Sequence, residues 1–324
     1  MLVTVAVAVY NGARFIPECI RCLSEQTYRD FEVLFVVDAK TTDESVELIE
    51  SLGVDLPKSR VIIQNDKDRL SGARNIGIRE SKGSVIWFLD VDDHPYPDFL
   101  SVLVGVMNDR DADIVMCNSI HIRERTVPPE STRDYGILEM TGAEAVGRYT
   151  ELPVYSWARI QRKSIFENGD SFFVMYPSME DLPQTIIELA NAQKVCYVGK
   201  PLYVYYKIQG SATFTNRSTE VEVIDKISRR TVQYVREKQP EAYPAFSRSM
   251  LERLMRHLTF CTYKEYKRVR AISIADELLS QIEEKSFEMK VFERIPALYY
   301  AILYPFSHFI WDRKDGLWDK GEGR

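Results

Sequence analysis

Apolar residues fill positions 2–9 almost without interruption and give way to Tyr10-Asn11-Gly12, a pattern that predicts a buried strand followed by a turn. Behind the turn, Phe15, Ile16, Cys19, Ile20 and Leu23 recur at helical spacing, and 32–37 is a second β-rich run, so the first forty residues predict a βαβ unit. The alternation continues with a helix near 43–52, a strand at 60–63, a helix at 71–81, a strand at 84–89, a helix near 97–108 and a strand at 114–118. Strands and helices in turn imply a mostly parallel sheet with helices on both faces.

A polar stretch with Pro128-Pro129 interrupts the pattern, and Thr141-Gly142-Ala143-Glu144 offers a capping box for a new helix. A strand pair, 194–197 and 202–206, closes the α/β part. Beyond about residue 218 strand signals cease, and charged amphipathic helical patterns run from 221 to about 284. These changes divide the chain into an α/β domain over 1–215 and a C-terminal helical region over 216–324. Within the latter, 295–311 is nearly all apolar, carries Tyr299, Tyr300, Tyr304 and Trp311, and is flanked by Arg294, Arg313 and Lys314. Pro296, Pro305 and its short length argue against a membrane span. Core packing, a homo-oligomer contact and association with a membrane surface remain open for it.

Composition narrows the function classes. With 45% hydrophobic and 28% charged residues the chain is an ordinary folded protein. A formal charge of -6 provides no field for nucleic acid, which is excluded as an expected partner. Five cysteines, an odd and scattered set, point to reduced thiols and a cytoplasmic setting, and no signal peptide is expected. Cys19 and Cys22 form an isolated C-x-x-C without a second pair, which favours helix packing over a metal site.

Ligands of open α/β sheets bind at the carboxyl ends of the strands. Here those ends are Tyr10-Asn11, Asp38 and Asp90-Val91-Asp92-Asp93, a polar and acidic set. Clustered carboxylates repel one another unless protonated or neutralised, and a divalent cation with phosphate oxygens neutralises them; Mg²⁺ or Mn²⁺ suits oxygen ligands. Taken alone, the acidic run also fits a solvated turn or a helix N-cap.

The segments VTVAVAVYNG, SEQTYRDFEVLFVVD, LSGARNIGIRESKGSVIWFLDVDD and MEDLP, in this order, resemble family 2 glycosyltransferases of the GT-A fold over roughly 1–215. The resemblance implies a GT-A type, Rossmann-like, mostly parallel sheet flanked by helices. It also implies an inverting transferase that moves a sugar, a hexosyl or N-acetylhexosaminyl group, from a nucleotide-sugar donor, expected to be a UDP-sugar, to a glycan, glycolipid or polymer acceptor. Cell-surface polysaccharide synthesis, peripheral to the inner face of the plasma membrane, is the expected setting.

Residue by residue, the resemblance puts Tyr10 against the nucleobase and Asp38 in hydrogen-bonding range of the base. Asn11, Arg74, Asn75 and Asp90 fall in the donor region, with Lys207 displaced by one position from the family's usual cation near the diphosphate. Asp92 and Asp93 match the metal-binding D-x-D signature, Asp92 also facing the donor. Of Glu180-Asp181, the second carboxylate matches the general base and the first a supporting acceptor-side role; Trp157 falls in the acceptor segment. A helix N-cap is the alternative for Glu180-Asp181, an ion pair for Arg74, and core packing for Trp157. His94 is left out of the metal set. The chain departs from the family at Val37 and in the loop 39–42, one residue longer than usual. Two rival readings are a nucleotidyltransferase, which lacks support because VYNGAR is not a glycine-rich phosphate loop, and a catalytically inactive GT-A-like binding protein.

Overall fold

The computed structural model describes residues 1–302 apart from 57, 66–68, 124, 132, 134, 168–171, 175–178, 208–216 and 259–261. The chain forms two compact units: Met1–Gly142, Leu152–Met175 and Asn191–Lys207 make the first, and Ala143–Glu151, Tyr176–Ala190 and Ile208–Arg324 the second. The expected cut near 215 lies close to the last passage between them and leaves out two earlier excursions.

The first unit is built on a mixed sheet. Its strands are β1 (Val3–Val9), β2 (Phe31–Asp38), β3 (Ser59–Gln64), β4 (Val85–Asp90), β5 (His94–Pro95), β6 (Ile114–Ile122), β7 (Ile137–Thr141), β8 (Arg159–Arg162) and β9 (Lys194–Tyr206). They lie in the order β3-β2-β1-β4-β8-β6-β9-β5, with β7 also on β9. The first four are mutually parallel, whereas β8 runs antiparallel to both β4 and β6. Helices α1 (Ile16–Ser24), α2 (Ser45–Leu52), α3 (Arg69–Glu80) and α4 (Phe99–Arg110) cover the sheet at the places the periodicity predicts.

Strands β1, β2 and β4 are apolar on both faces because helices cover both. Val3, Val5, Val7, Phe35, Val37, Trp87 and Leu89 share a core with Ile16 and Leu23 of α1 and with Phe99 and Leu103 of α4. The other face packs Leu34 and Val36 against Ala73 of α3. Each such side chain contributes about 1.5–3 kcal/mol by leaving water. Gly77 of α3 sits so close to β1 that a Cβ there would lie 2.7 Å from that of Ala6. This contact sets the depth at which α3 carries Arg74 and Asn75.

One expectation needs correction, and one strand was not expected. The predicted pair 194–197 and 202–206 is one strand, β9, whose register on β6 shifts around Asn118. Gly199 and Pro201 are absorbed in that irregularity. The central strand β8, with sequence RIQR, carries no hydrophobic alternation; its Arg159 and Gln161 are buried and hydrogen-bonded to each other at 2.9 Å. A strand whose buried side chains are largely polar hides from a hydrophobicity pattern.

The second unit is helical: α5 (Gly142–Gly147), which begins in the predicted capping segment, α6 (Asp181–Asn191), α7 (Arg217–Lys238), α8 (Tyr243–Leu258), α9 (Tyr263–Ile272), α10 (Ala275–Ser280) and α11 (Phe287–Arg294). Phe246, Leu251 and Leu254 of α8 and Leu278 of α10 are buried in it. Of the apolar stretch 295–311, Tyr299 and Tyr300 are buried while Ile295, Leu298 and Ile302 are exposed. Tyr304, Trp311, Arg313 and Lys314 lie outside the described residues. No helix among the described residues is long and apolar enough to cross a membrane.

Candidate active site

The carboxyl ends of β1, β2 and β4 lie side by side because the three strands are adjacent and parallel. Tyr10 leaves β1 with its ring 62% exposed, so a flat apolar face stands free on the rim. Asn11 follows with φ of 46°, and its side-chain oxygen accepts from the Thr42 backbone N–H at 2.9 Å. The Gly12 N–H donates to the Ser45 hydroxyl and the Ala13 N–H to Asp43, at 3.0 and 2.9 Å. These bonds join the loop after β1 to the loop after β2. Thr42, Asp43 and Ser45 were not singled out in the sequence, and their only signal there was a short polar loop at a strand end. Asp38 accepts from the Lys40 N–H through Oδ1 at 2.8 Å.

Asp90 ends β4 and pairs with Arg74, whose guanidinium Nη2 lies 3.4 Å away. Arg74 is 3% exposed and its guanidinium lies 5.3 Å from the centre of the Phe173 ring. It is therefore built into the protein and steadies Asp90, rather than reaching into solvent. Asn75 exchanges two hydrogen bonds with the backbone of Phe173, at 2.9 and 2.8 Å. Its amide holds that segment beside α3.

Asp92 and Asp93 differ sharply. Asp92 is partly exposed, and burial pushes its carboxyl up, opposed by its own backbone N–H and by Arg125 and Arg14. Asp93 is 2% exposed, accepts from the Tyr203 hydroxyl at 3.0 Å and from the Tyr206 N–H at 3.1 Å, and is driven well up by burial and the charges of Asp90 and Asp92. Both its oxygens accept bonds that tie the exit of β4 to β9, which leaves Asp92 the more open of the two carboxylates. Among the described residues, three potential ligand atoms come within 4.8 Å of one another only at Glu18, Cys22 and His94, not among the aspartates.

Arg125, absent from the sequence expectations, donates to the Asp92 carbonyl at 3.1 Å and lies 4.9 Å from the Phe15 ring centre and 4.5 Å from that of Tyr206. With Arg14 over Phe15 at 4.4 Å, it brings positive charge to an otherwise acidic rim. Lys207 follows β9, its N–H bonded to the Ile122 carbonyl at 2.8 Å.

Trp157 is 2% exposed and stacks with Tyr155, Tyr203 and Tyr205 at centroid distances of 4.8, 4.4 and 5.5 Å. Protein rings enclose it, which favours the core alternative over sugar stacking; Tyr155 is the exposed member of the ladder. His121 joins the same group, 5.1 Å from the Tyr205 ring.

Glu180 and Asp181 belong to the second unit. Both are partly exposed, and Asp181 is the first residue of α6, whose next nine residues are all buried. Met179, just before them, has φ of 64°, a left-handed conformation rare for a residue with a side chain. A strained backbone immediately before a carboxylate pair is a pattern that clusters at functional sites.

The family model for glycosyl transferase family 2 matches residues 4–169. The chain belongs to this family. An uncharacterized glycosyltransferase of Bacillus subtilis, EpsJ, is 32% identical over 220 residues, covering 65% of this chain and 63% of its own. The poly(ribitol-phosphate) β-N-acetylglucosaminyltransferase TarS of Staphylococcus aureus is 22% identical over 316 residues, covering 95% of this chain and 53% of TarS. The chain spans less than two thirds of the length of the first curated relatives it matches. Among solved structures, S. aureus TarS 1-349 in complex with UDP-GlcNAc superposes with a TM-score of 0.62 at 18% identity, over 87% of this chain and 90% of that one. The mannosyltransferase PcManGT of Pyrobaculum calidifontis, with GDP-Man and Mn²⁺, gives 0.53 at 17% identity over 98% and 87%. The family match and these superpositions establish the GT-A type fold.

Proposed function

We propose that this chain transfers a sugar, with inversion, from a nucleotide-sugar donor to a hydroxyl of a glycan, glycolipid or polymer acceptor by single displacement. The observation that carries this reading is the rim itself: an exposed Tyr10 ring, the Asp38 carboxylate and the pair Asp90 and Asp92 at adjacent strand ends of a family 2 chain. Tyr10 stacks on the base, and Asp38, an acceptor-only group, takes a base N–H such as that of uracil. Because TarS was solved with UDP-GlcNAc, UDP-N-acetylhexosamines are the donors to test first.

The donor chemistry of the rim fits a hard divalent cation. Asp90 and Asp92 are close enough for each to raise Asp93, and two carboxylates plus donor phosphates suffice for Mg²⁺ or Mn²⁺. Asp92, with Asp90, would hold it, and when bound it neutralises charge on the leaving nucleoside diphosphate. Arg74 orients Asp90, and Arg125 holds the Asp92 backbone. Lys207 is the candidate cation toward the diphosphate. Tyr155 replaces Trp157 as the ring offered to a sugar face, with Glu180 in a supporting role toward the acceptor.

Asp181 takes the proton of the acceptor hydroxyl as that oxygen attacks, a role that rests on the sequence resemblance. Asp181→Asn preserves size but removes the proton acceptor, and turnover should fall about 10²-fold to 10⁴-fold with donor affinity nearly unchanged. The measurement is metal-dependent nucleotide release and sugar transfer across a panel of nucleotide sugars. Parental turnover in the variant leaves Asp181 as a helix cap. Joint loss of donor binding and turnover moves it to the nucleotide site. No release from any donor with Mn²⁺ or Mg²⁺ favours the inactive binding protein.

A further inference from the structure

On α1, Glu18 and Cys22 are four residues apart and therefore share one helix face. The two-residue strand β5 pairs His94 with Val204 of β9 and thereby presents His94 to that face. His94 Nδ1 lies 3.2 Å from Cys22 Sγ and 3.1 Å from Glu18 Oε1, and the sulfur is 3.8 Å from the same oxygen. Three different donors thus converge on one point, two of them on buried residues.

We propose that Glu18, Cys22 and His94 form a binding site for one thiophilic divalent cation of the Zn²⁺ type, distinct from the hard cation of the aspartate rim. Bond lengths of about 2.3 Å to sulfur and about 2.0–2.1 Å to nitrogen and oxygen, at tetrahedral angles, require donor separations of roughly 3.3–3.6 Å. The observed triangle is within a few tenths of an ångström of that. Its donor set, thiolate, imidazole and carboxylate, selects Zn²⁺ over Mg²⁺, which avoids sulfur. Three protein ligands leave the fourth position to water. Cys22 loses its proton to solvent as the metal–sulfur bond forms, His94 offers the Nδ1 lone pair with its proton on Nε2, and thiolate plus carboxylate balance the two positive charges. Arg21 donates to both oxygens of Glu18, at 2.9 and 2.6 Å, and a carboxylate has acceptor capacity for it and a metal together. Cys19, one turn earlier and equally buried, contributes no atom to the triangle. A cation held here clips α1 to β5 and stabilises only the folded chain.

The test is titration of the full-length chain with Co²⁺ and Zn²⁺ in excess Mg²⁺, followed by absorption and by thermal unfolding. One equivalent of Co²⁺ should give a thiolate-to-cobalt charge-transfer band and tetrahedral visible bands, Zn²⁺ should displace it, and the unfolding temperature should rise. Cys22→Ser should abolish the charge-transfer band, Glu18→Gln should weaken binding by about 10-fold to 100-fold on the scale of lost metal-site contacts, and Cys19→Ser and Asp92→Asn should leave both unchanged. The parental chain needs no substitution to report: absence of the band at one equivalent overturns the proposal. So does a band that survives in folded Cys22→Ser or vanishes in folded Cys19→Ser. None of these readouts depends on sugar transfer, so failure of this site and failure of the transferase reading are separate results.

Discussion

The two halves of the sheet build the site in different ways. On the side β3-β2-β1-β4, strands are parallel, β1, β2 and β4 are apolar on both faces and covered by helices, and the carboxyl ends carry Tyr10, Asp38, Asp90 and Asp92 at positions that read directly from the chain. On the side β8-β6-β9-β5, strand directions mix, polar side chains are buried, and the contribution is a set of restraints: Tyr203 and Tyr206 hold Asp93, and β9 places His94. In the proposed function the first half supplies the base-facing ring and the carboxylates, while the second mainly restrains them and adds Lys207. Substitutions should therefore separate into effects on donor chemistry and effects on stability.

Asp92→Asn is the largest expected effect of the parallel half. In the proposed site, removing this carboxylate should lower turnover by about 10²-fold or more and weaken metal-dependent binding of nucleoside diphosphate, since a bound divalent cation supplies several kcal/mol of charge stabilisation. Calorimetry with UDP and Mn²⁺ checks it, and full activity in excess chelator removes the metal from the proposal.

The mixed half can be probed through His121. Burial, reinforced by the positive charge of Lys207, holds its imidazole down at about 4. The unfolded chain binds this proton at about pH 6.5, so the folded state is disfavoured as pH falls from there toward the folded value, by up to about 3 kcal/mol. The contribution is fully present above about pH 6.5 and lost progressively toward about pH 4. Denaturant unfolding of the parental chain and His121→Asn across this window should show a shallower pH dependence in the variant; identical slopes assign the acid sensitivity elsewhere.

Tyr203→Phe sharpens the contrast further. It removes a hydrogen bond to a buried carboxylate and should cost about 1.5–3 kcal/mol of stability. Well below the unfolding transition its donor affinity should stay near the parental value. A variant of parental stability that has lost donor binding would instead place the Asp93 clamp within the donor site.

The correspondence between chain and fold follows the same division. The βαβ pattern, the strand-end carboxylates and the family resemblance were legible because buried parallel strands and amphipathic helices impose local periodicity, and the match over residues 4–169 bears out the family and the fold. Strand β8 was not legible, because Arg159 and Gln161 are polar and meet in a buried position only once the fold has formed. Asn75 stands in a legible motif, but the pairing of its amide with the backbone of Phe173, nearly a hundred residues away, was not legible. Trp157 looked like a platform until its neighbours in space, Tyr203 and Tyr205, enclosed it.

Cys22 shows where the limit lies. Read along the chain, its partner is Cys19 and the partner of His94 is Asp93; in the fold, Cys22 meets His94 and Asp93 turns to Tyr203. Residue order alone determined the parallel core with its covering helices and the acidic strand ends, since these depend on periodicity and on which side chains avoid water. Which aspartate stays open to a ligand and which is locked, and which thiol faces an imidazole, was decided by the tertiary structure, because hydrogen bonds and coordination act over about 2–4 Å and only strand pairing brings those atoms within that range.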